Sequence, residues 1–248
     1  MKENKTKRVL GVTLARGGSV SVPKKNIFPL NNVPLIAYTI VEAKRSNCID
    51  RYIVSTDDQA IADVALDYGA EVPFLRPAEL ATNTSTTLSG LQHAVTWVER
   101  EEGRKYDVVV ELPCTNPMRT GEDIDAAVNK LTDTGADSVV GVCKLDDNHP
   151  IRIKKIVDDK IVDFCLKETP ETRRQDLKPD AYIRNGSIYA VNRNCLMVGN
   201  SRYGTENSRP LIMSPEKIVN IDGELELLLA EVMIGRYPRD YIKKLGEQ

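Results

Sequence analysis

The run Ala15-Arg16-Gly17-Gly18-Ser19-Val20-Ser21-Val22-Pro23-Lys24-Lys25-Asn26 concentrates groups that hold a polyanion. Glycines let a ligand come close to the main chain and bare its N–H groups. Arg16, Lys24 and Lys25 add positive charge. Amide donors and cations together suit a polyphosphate. The apolar run just before it, Val9-Leu10-Gly11-Val12-Thr13-Leu14, reads as a buried strand. The loop therefore leaves the carboxyl end of a strand, where open α/β sheets bind ligands. Two familiar phosphate loops are excluded, because neither G-x-x-x-x-G-K-S/T nor G-x-G-x-x-G occurs here. Loss of the second pattern also argues against a dinucleotide-dependent oxidoreductase. What remains is a loop for a mononucleotide triphosphate, held by backbone, arginine and lysine.

The elements that must position this loop alternate along the chain. Pro34 opens a run with apolar residues at helical spacing. A strand is expected over 51–56. Asp57 and Asp58 then read as the cap and first turn of a helix reaching Tyr68. Gly69 stops that helix, and 71–75 is expected as a short edge strand. A helix over 89–101, a strand over 107–112, a helix over 121–131 and a strand over 137–142 follow. This rhythm predicts an α/β fold: a mostly parallel sheet with helices on both faces. It breaks near Leu145. Segments 151–156 and 161–166 read as a hairpin, followed by a polar stretch holding Arg173 and Arg174. The expectation is an α/β domain over 7–145 and 185–245, with an extended insert over 146–184 that acts as a dimerisation arm or lid. A last helix over 224–234 has leucines on nearly every side.

Composition narrows the class. The chain has 248 residues, 41% of them hydrophobic, enough for one large domain. A net charge of −2 argues against a nucleic-acid partner, which wants a basic face. No apolar run is long enough for a membrane span. The charged N-terminal residues lack a signal-peptide core, so a cytoplasmic protein is expected. Five scattered cysteines and two histidines offer neither a zinc pattern nor a disulfide framework.

Several segments, in order, resemble the acylneuraminate cytidylyltransferases. They are Ala15-Arg16-Gly17-Gly18-Ser19 with Pro23, Lys25 and Asn26; Val54-Ser55-Thr56-Asp57-Asp58; and Leu75-Arg76-Pro77-Ala78-Glu79-Leu80-Ala81. Thr115-Asn116-Pro117-Met118-Arg119-Thr120 is similar to the family's P-T-S-P-L-R-T loop. Asn185-Gly186-Ser187-Ile188-Tyr189 and Ile221-Asp222-Gly223-Glu224 complete the set. The resemblance implies a Rossmann-like domain, homodimeric through the insert. It implies transfer of CMP from CTP to the anomeric hydroxyl of a nine-carbon α-keto sugar acid, with Mg²⁺ and release of pyrophosphate. Arg16, Lys25, Asn26 and Asp222 are then catalytic. Ala15, Gly17, Gly18, Ser19, Arg76 and Thr87 bind the nucleotide, with Arg76 and Thr87 near the cytosine. Thr115, Asn116, Arg174 and Tyr189 bind the sugar acid, and Asp222 with Asn220 holds the metal.

Each role has a plainer alternative. Asp222 could cap the last helix, Tyr189 could be core, and Arg119 could be a surface residue before a helix. His93 reads as packed near Trp97, His149 as a site or loop residue of the insert, and Cys114 as an inert thiol beside a site loop. The chain also departs from the family pattern. Val20-Ser21-Val22 stands where Lys-Gly-Ile is usual. Leu112-Pro113-Cys114 replaces a segment with glutamine, and Asn220-Ile221-Asp222 has one carboxylate fewer than Asp-Ile-Asp. The alternatives are a weakened homologue that binds without turnover and a nucleotidyltransferase of other base selectivity.

Overall fold

The computed structural model describes residues 7–18, 22–167 and 173–246. The first half lays down β1 (Val9–Leu14), the small pair β2 (Pro29–Leu30) and β3 (Val33–Pro34), then α1 (Leu35–Arg45) and β4 (Arg51–Ser55). Next come α2 (Gln59–Asp67), α3 (Thr87–Glu102), β5 (Val108–Glu111), α4 (Gly121–Thr134) and β6 (Ser138–Leu145). The hairpin strands β7 (Lys154–Val157) and β8 (Lys160–Asp163) precede the long β9 (Ala181–Asn192). Then α5 (Arg193–Met197), β10 (Ser208–Met213) and α6 (Glu224–Arg236) close the chain.

Six strands form one sheet in the order β10-β6-β9-β5-β1-β4. β4 and β5 flank β1 in parallel, β10 runs parallel to β6, and β9 is antiparallel to both β5 and β6. Alternation along β1 splits the core. Val9 faces α1, α2, α4 and α6, while Leu10 and Val12 face α3 and α5. Helices thus cover both faces, as the β-α rhythm predicts. The chain leaves β1 toward β4 on one side and later returns on the other side at β5. The carboxyl ends of β1 and β5 therefore flank the point where strand order reverses.

Local signals set the helix ends. Asp58 caps α2, its carboxylate accepting from the Ala60 and Ile61 amides at 2.8 and 3.2 Å. The Asp123 carboxylate accepts from Thr120 N at 2.8 Å at the start of α4. Gly103 ends α3 at φ 67°, a left-handed conformation that favours glycine.

Four expectations change. The strand over 71–75 is only two isolated bridges, Ile53 to Glu71 and Thr56 to Leu75, with Pro73 unable to donate between them. β10 was not expected, because Pro210 interrupts its pattern; as an edge strand it tolerates the proline. The short α5, capped by Asn192, was also missed. Finally, β9 starts at Ala181 rather than 185. Its first residues pair with β6 as far as Leu145 to Ala181, beyond the helix layers. Tyr182 and Ile183 there are 44% and 45% exposed, so that stretch carries no buried-strand signature. The arm leaves the sheet at this point, and its β7–β8 turn places Asp158 and Asp159 at φ 50° and 58°.

Candidate active site

A cavity of about 600 Å³ opens at the carboxyl ends of β1 and β5. Its lining includes Arg16, Lys25 and Asn26 from the loop after β1, Arg76, Thr86 and Thr87 before and at the start of α3, and Pro113, Cys114 and Thr115 after β5. Chain segments far apart in sequence thus converge at the strand-order reversal.

The loop after β1 is fastened from several directions. Arg16 Nη1 donates to the Thr82 carbonyl at 3.1 Å. Gly17 N donates to Asp57 Oδ1 at 3.2 Å. A Cβ on Gly17 would meet the Asp58 carboxylate at 2.6 Å, so only glycine fits there. A Cβ on Gly18 would meet nothing within 4 Å, so its backbone faces open space. Ala15 is fully buried, and its N–H bonds Ser55 O at 3.0 Å, which pins the loop's root to β4. Ser19, with Val20 and Ser21, lies outside the described residues.

Lys25 reaches the far end of the chain. Its Nζ donates to the Ile221 carbonyl at 2.8 Å and lies 3.9 Å from Asp222 Oδ1. Ile221 N in turn donates to Thr115 O at 2.8 Å. Asn26 is a buried strut: Nδ2 donates to Arg16 O at 2.9 Å, and Oδ1 accepts from Cys114 Sγ at 2.9 Å. Burial pushes the Cys114 thiol up to about 11, so it stays protonated at neutral pH.

Arg76 is 6% exposed and lines the wall beside α3. Its Nη1 donates to Ser55 O at 3.3 Å, and Nη2 approaches Asp57 at 3.5 Å. Burial lowers its pKa, with Asp57 opposing. Asp57 therefore joins Gly17 and Arg76 rather than capping α2, a role that sequence reasoning missed. Its place just past β4 is the one signal that could have found it. Thr86 and Thr87 put the first turn of α3, the positive end of that helix's dipole, at the cavity wall.

Other expected site residues sit elsewhere. Asn116 is wholly buried and used at both ends. Nδ2 donates to Asn185 O and Lys217 O at 2.9 Å each, and Oδ1 accepts from Met118 N at 3.0 Å. It fastens the loop and does not line the cavity. Arg174 is on the arm surface, where its guanidinium pairs with Asp146 at 2.6 Å and Asp147 at 3.4 Å. Tyr189 is 7% exposed and packs edge-on against Tyr203 at 5.5 Å. Arg119 is no surface residue. It is 1% exposed and donates to the Thr39 hydroxyl, to Ser187 O at 2.5 Å and to Pro113 O at 2.7 Å. Burial lowers its pKa to about 10, so it remains charged at neutral pH. His93 packs against Phe74, and His149 bonds the Pro179 carbonyl at 2.7 Å inside the arm.

Asp222 does not cap the last helix. The cap residue is Gly223, whose N–H is taken by Glu226 at 2.9 Å. The Asp222 side chain is 76% exposed, and Asn220 Nδ2 donates to it at 2.8 Å. The exposed Asp222 carboxylate and the Asn220 amide oxygen are hard donors of the kind Mg²⁺ accepts, and Lys25 ties Asp222 to the cavity. Among the described residues no cluster of three or more His, Cys, Asp or Glu side chains could cage a metal. Among the described residues no helix is long and apolar enough to cross a membrane.

A cytidylyltransferase family model matches residues 10–209. The chain is 34% identical over 237 residues to the CMP-N,N'-diacetyllegionaminic acid synthase of Legionella pneumophila, covering 92% of this chain and 96% of that one. It is 30% identical over 236 residues to N-acylneuraminate cytidylyltransferase A of Danio rerio, covering 95% of this chain and 53% of the fish protein. In fold it is similar to a CMP:2-keto-3-deoxy-manno-octonic acid synthetase solved with CTP. That match has a TM-score of 0.68 at 16% identity and covers 93% of this chain and 99% of the other.

Proposed function

The chain belongs to the cytidylyltransferase family and is a nucleotidyltransferase; from that premise we propose that it transfers CMP from CTP to the anomeric hydroxyl of a nine-carbon α-keto sugar acid. The observation that carries this reading is the convergence of Arg16, Lys25, Arg76 and the first turn of α3 on one cavity at the strand-order reversal. The acceptor hydroxyl oxygen forms a bond to the α-phosphorus, the bond to the bridging oxygen breaks, pyrophosphate leaves, and the hydroxyl proton is lost to solvent. Such a displacement needs charge neutralisation and in-line positioning more than covalent help.

Arg16 and Lys25 supply the positive charge for the triphosphate, and the Gly18 backbone faces open space where a phosphate can approach. Arg76 and Thr87 line the same cavity and suit the base. Asn26 holds Arg16 and the loop after β5 in register, which keeps the phosphate side and the acceptor side at a fixed distance. Asp222 and Asn220 would hold Mg²⁺ together with the nucleotide's phosphates, and the ion would offset their negative charge. The arm supports a homodimer: Ile156, Ile161 and Phe164 are 68%, 73% and 61% exposed on a hairpin too small for its own core.

The test is pyrophosphate release with each of four nucleoside triphosphates against a panel of nine-carbon sugar acids. Release that requires both CTP and a sugar acid supports the proposal. Release with another nucleotide corrects the base. Tight CTP binding without release for any acid replaces the proposal with a nucleotide-binding role.

A further inference from the structure

The segment that follows α6 is tied to α1, α2 and the loop after β5. Ile242 is buried in the core cluster that holds residues of α1 and α4. Leu245 N donates to Asp67 O at 2.8 Å, and Lys244 pairs with the Asp67 carboxylate at 2.9 Å. The Tyr241 hydroxyl donates to Glu42, and the Arg45 guanidinium lies 4.4 Å from the centre of the Tyr241 ring. Arg239 differs from these, because it reaches the main chain of a loop. Its Nη2 donates to Met118 O at 2.9 Å and its Nη1 to Arg119 O at 3.0 Å, with Nη1 also donating to Glu42 Oε1 at 3.1 Å.

Those two carbonyls belong to the loop whose other end is cavity wall. Pro113, Cys114 and Thr115 line the cavity, and Gly121 begins α4. The Arg119 side chain spans the loop from within, donating to Pro113 O at 2.7 Å. A chain of contacts thus runs from Arg239 through the main chain and side chain of Arg119 to the wall. Glu42 holds the centre of this arrangement. It is 1% exposed, takes Gly121 N at 2.9 Å on one oxygen, and takes Arg239 and Tyr241 on the other. Burial is the main cause that lowers the Arg119 pKa; the Arg239 charge adds to it and the Glu42 charge opposes it. The carboxylate therefore lets two guanidinium groups share one buried corner. A tail that merely covered the core would need Ile242 and no more. A planar fork on two successive carbonyls fixes where a loop lies.

We propose that Arg239 is a positioning residue for the transfer: from the segment after α6 it holds the Pro113–Thr115 wall, the acceptor side of the cavity, at its working distance from Arg16 and Lys25. Arg239 does not line the cavity, so it acts through Met118 and Arg119. Displacement at phosphorus depends steeply on where the attacking oxygen stands, and a misplacement of about 1 Å can cost about a hundredfold in rate. This inference rests on the reaction proposed above.

The experiment compares wild type, R239A, R239K and L131A. Leu131 is fully buried toward the far end of α4, so L131A truncates the core away from the loop. Amide hydrogen exchange is followed without ligand, CTP affinity is measured by titration calorimetry, and kcat and KM are measured for the best nine-carbon sugar acid, all at a temperature where the variants are folded. In R239A the amides of 114–121 should exchange about tenfold faster than in wild type. Its kcat/KM for the sugar acid should fall about tenfold or more, with CTP affinity within about twofold of wild type. R239K keeps the charge beside Glu42 but lacks the fork, so the same pattern should appear at about threefold or more, and this variant decides alone if R239A fails to fold. L131A should lower the melting temperature at least as far while keeping wild-type acceptor kinetics. Unchanged exchange over 114–121, or acceptor kinetics within about twofold of wild type in the folded Arg239 variants, overturns the inference. So does a CTP affinity that falls as far as the acceptor kinetics, or an equal kinetic loss in L131A, which would make the effect one of stability. Faster exchange in R239A together with a wild type that converts no sugar acid overturns the proposed function, and the positioning role with it.

Discussion

Around the cavity, polar side chains reach across the sheet. Lys25 bonds Ile221, Arg119 bonds Ser187, and Asn116 bonds Lys217. Along the arm they pair with near neighbours on the surface: Arg173 with Asp176, Lys154 with Asp163, and Arg174 with Asp146. The first pattern holds a site rigid before any ligand arrives, which is what a displacement at phosphorus needs. The second gives little rigidity, since exposed pairs contribute about 0–1 kcal/mol each. The arm buries Ile151 and Leu177 but leaves Ile156, Ile161 and Phe164 uncovered. One region is fastened across the sheet, whereas the other holds apolar side chains open at its surface.

The largest effect should come from the cavity's fixed cation. Lys25→Ala removes a charge-assisted contact worth about 1.5–3 kcal/mol and frees the Ile221 carbonyl, so kcat/KM should fall roughly 10- to 100-fold. Steady-state kinetics with CTP checks this, and a loss below about twofold would place the triphosphate elsewhere. Arg119→Met tests the fastening itself. Burial already penalises the Arg119 charge, but its loss takes this donor from the buried Thr39 hydroxyl and Ser187 carbonyl and from the half-buried Pro113 carbonyl. The balance should cost about 2 kcal/mol, or roughly 4–8 °C in melting temperature.

Much of this was legible in the sequence. Strands that are apolar on both faces, such as β1 and β5, declare themselves. So do glycines next to cations. The rest depended on side chains that the fold turns unexpectedly. Asp57 and Asp58 read alike as helix-start residues, yet one caps α2 and the other turns to Arg76. Arg119 and Asn116 look like loop polar residues, and only the sheet's closure shows that they are struts. Arg239 carried no signal, since an arginine past the last helix declares its partners only when Met118 and Arg119 are seen beside it.

Arm and cavity should also separate in assembly. Ile161→Asp puts a charge on the exposed hairpin, and light scattering should move from dimer to monomer while the melting temperature stays nearly constant. A wild type that is already monomeric would remove the contrast drawn for the arm.

The frame should loosen in acid. Glu102, bonded by Arg8, Arg51 and Tyr106, is held down to about 2 from an ordinary value near 4.5. A depressed carboxylate stabilises fully above its unfolded pKa, so that stability is lost as pH falls from about 4.5 toward 2. Thermal melts across this window should show a steeper decline for wild type than for Glu102→Gln.

The smallest change is expected for Arg174→Ala, less than about twofold in activity, because it removes surface ion pairs with Asp146 and Asp147. A hundredfold loss would mean that the arm carries Arg174 into a partner's cavity.

Titration calorimetry of CTP against wild type and the Lys25→Ala/Arg76→Ala variant tests the central claim most directly. If the cavity at the strand-order reversal holds the nucleotide, wild type binds CTP with one site per chain and the double variant shows no measurable heat while keeping its fold by circular dichroism. A folded double variant that binds CTP as tightly as wild type would contradict the account.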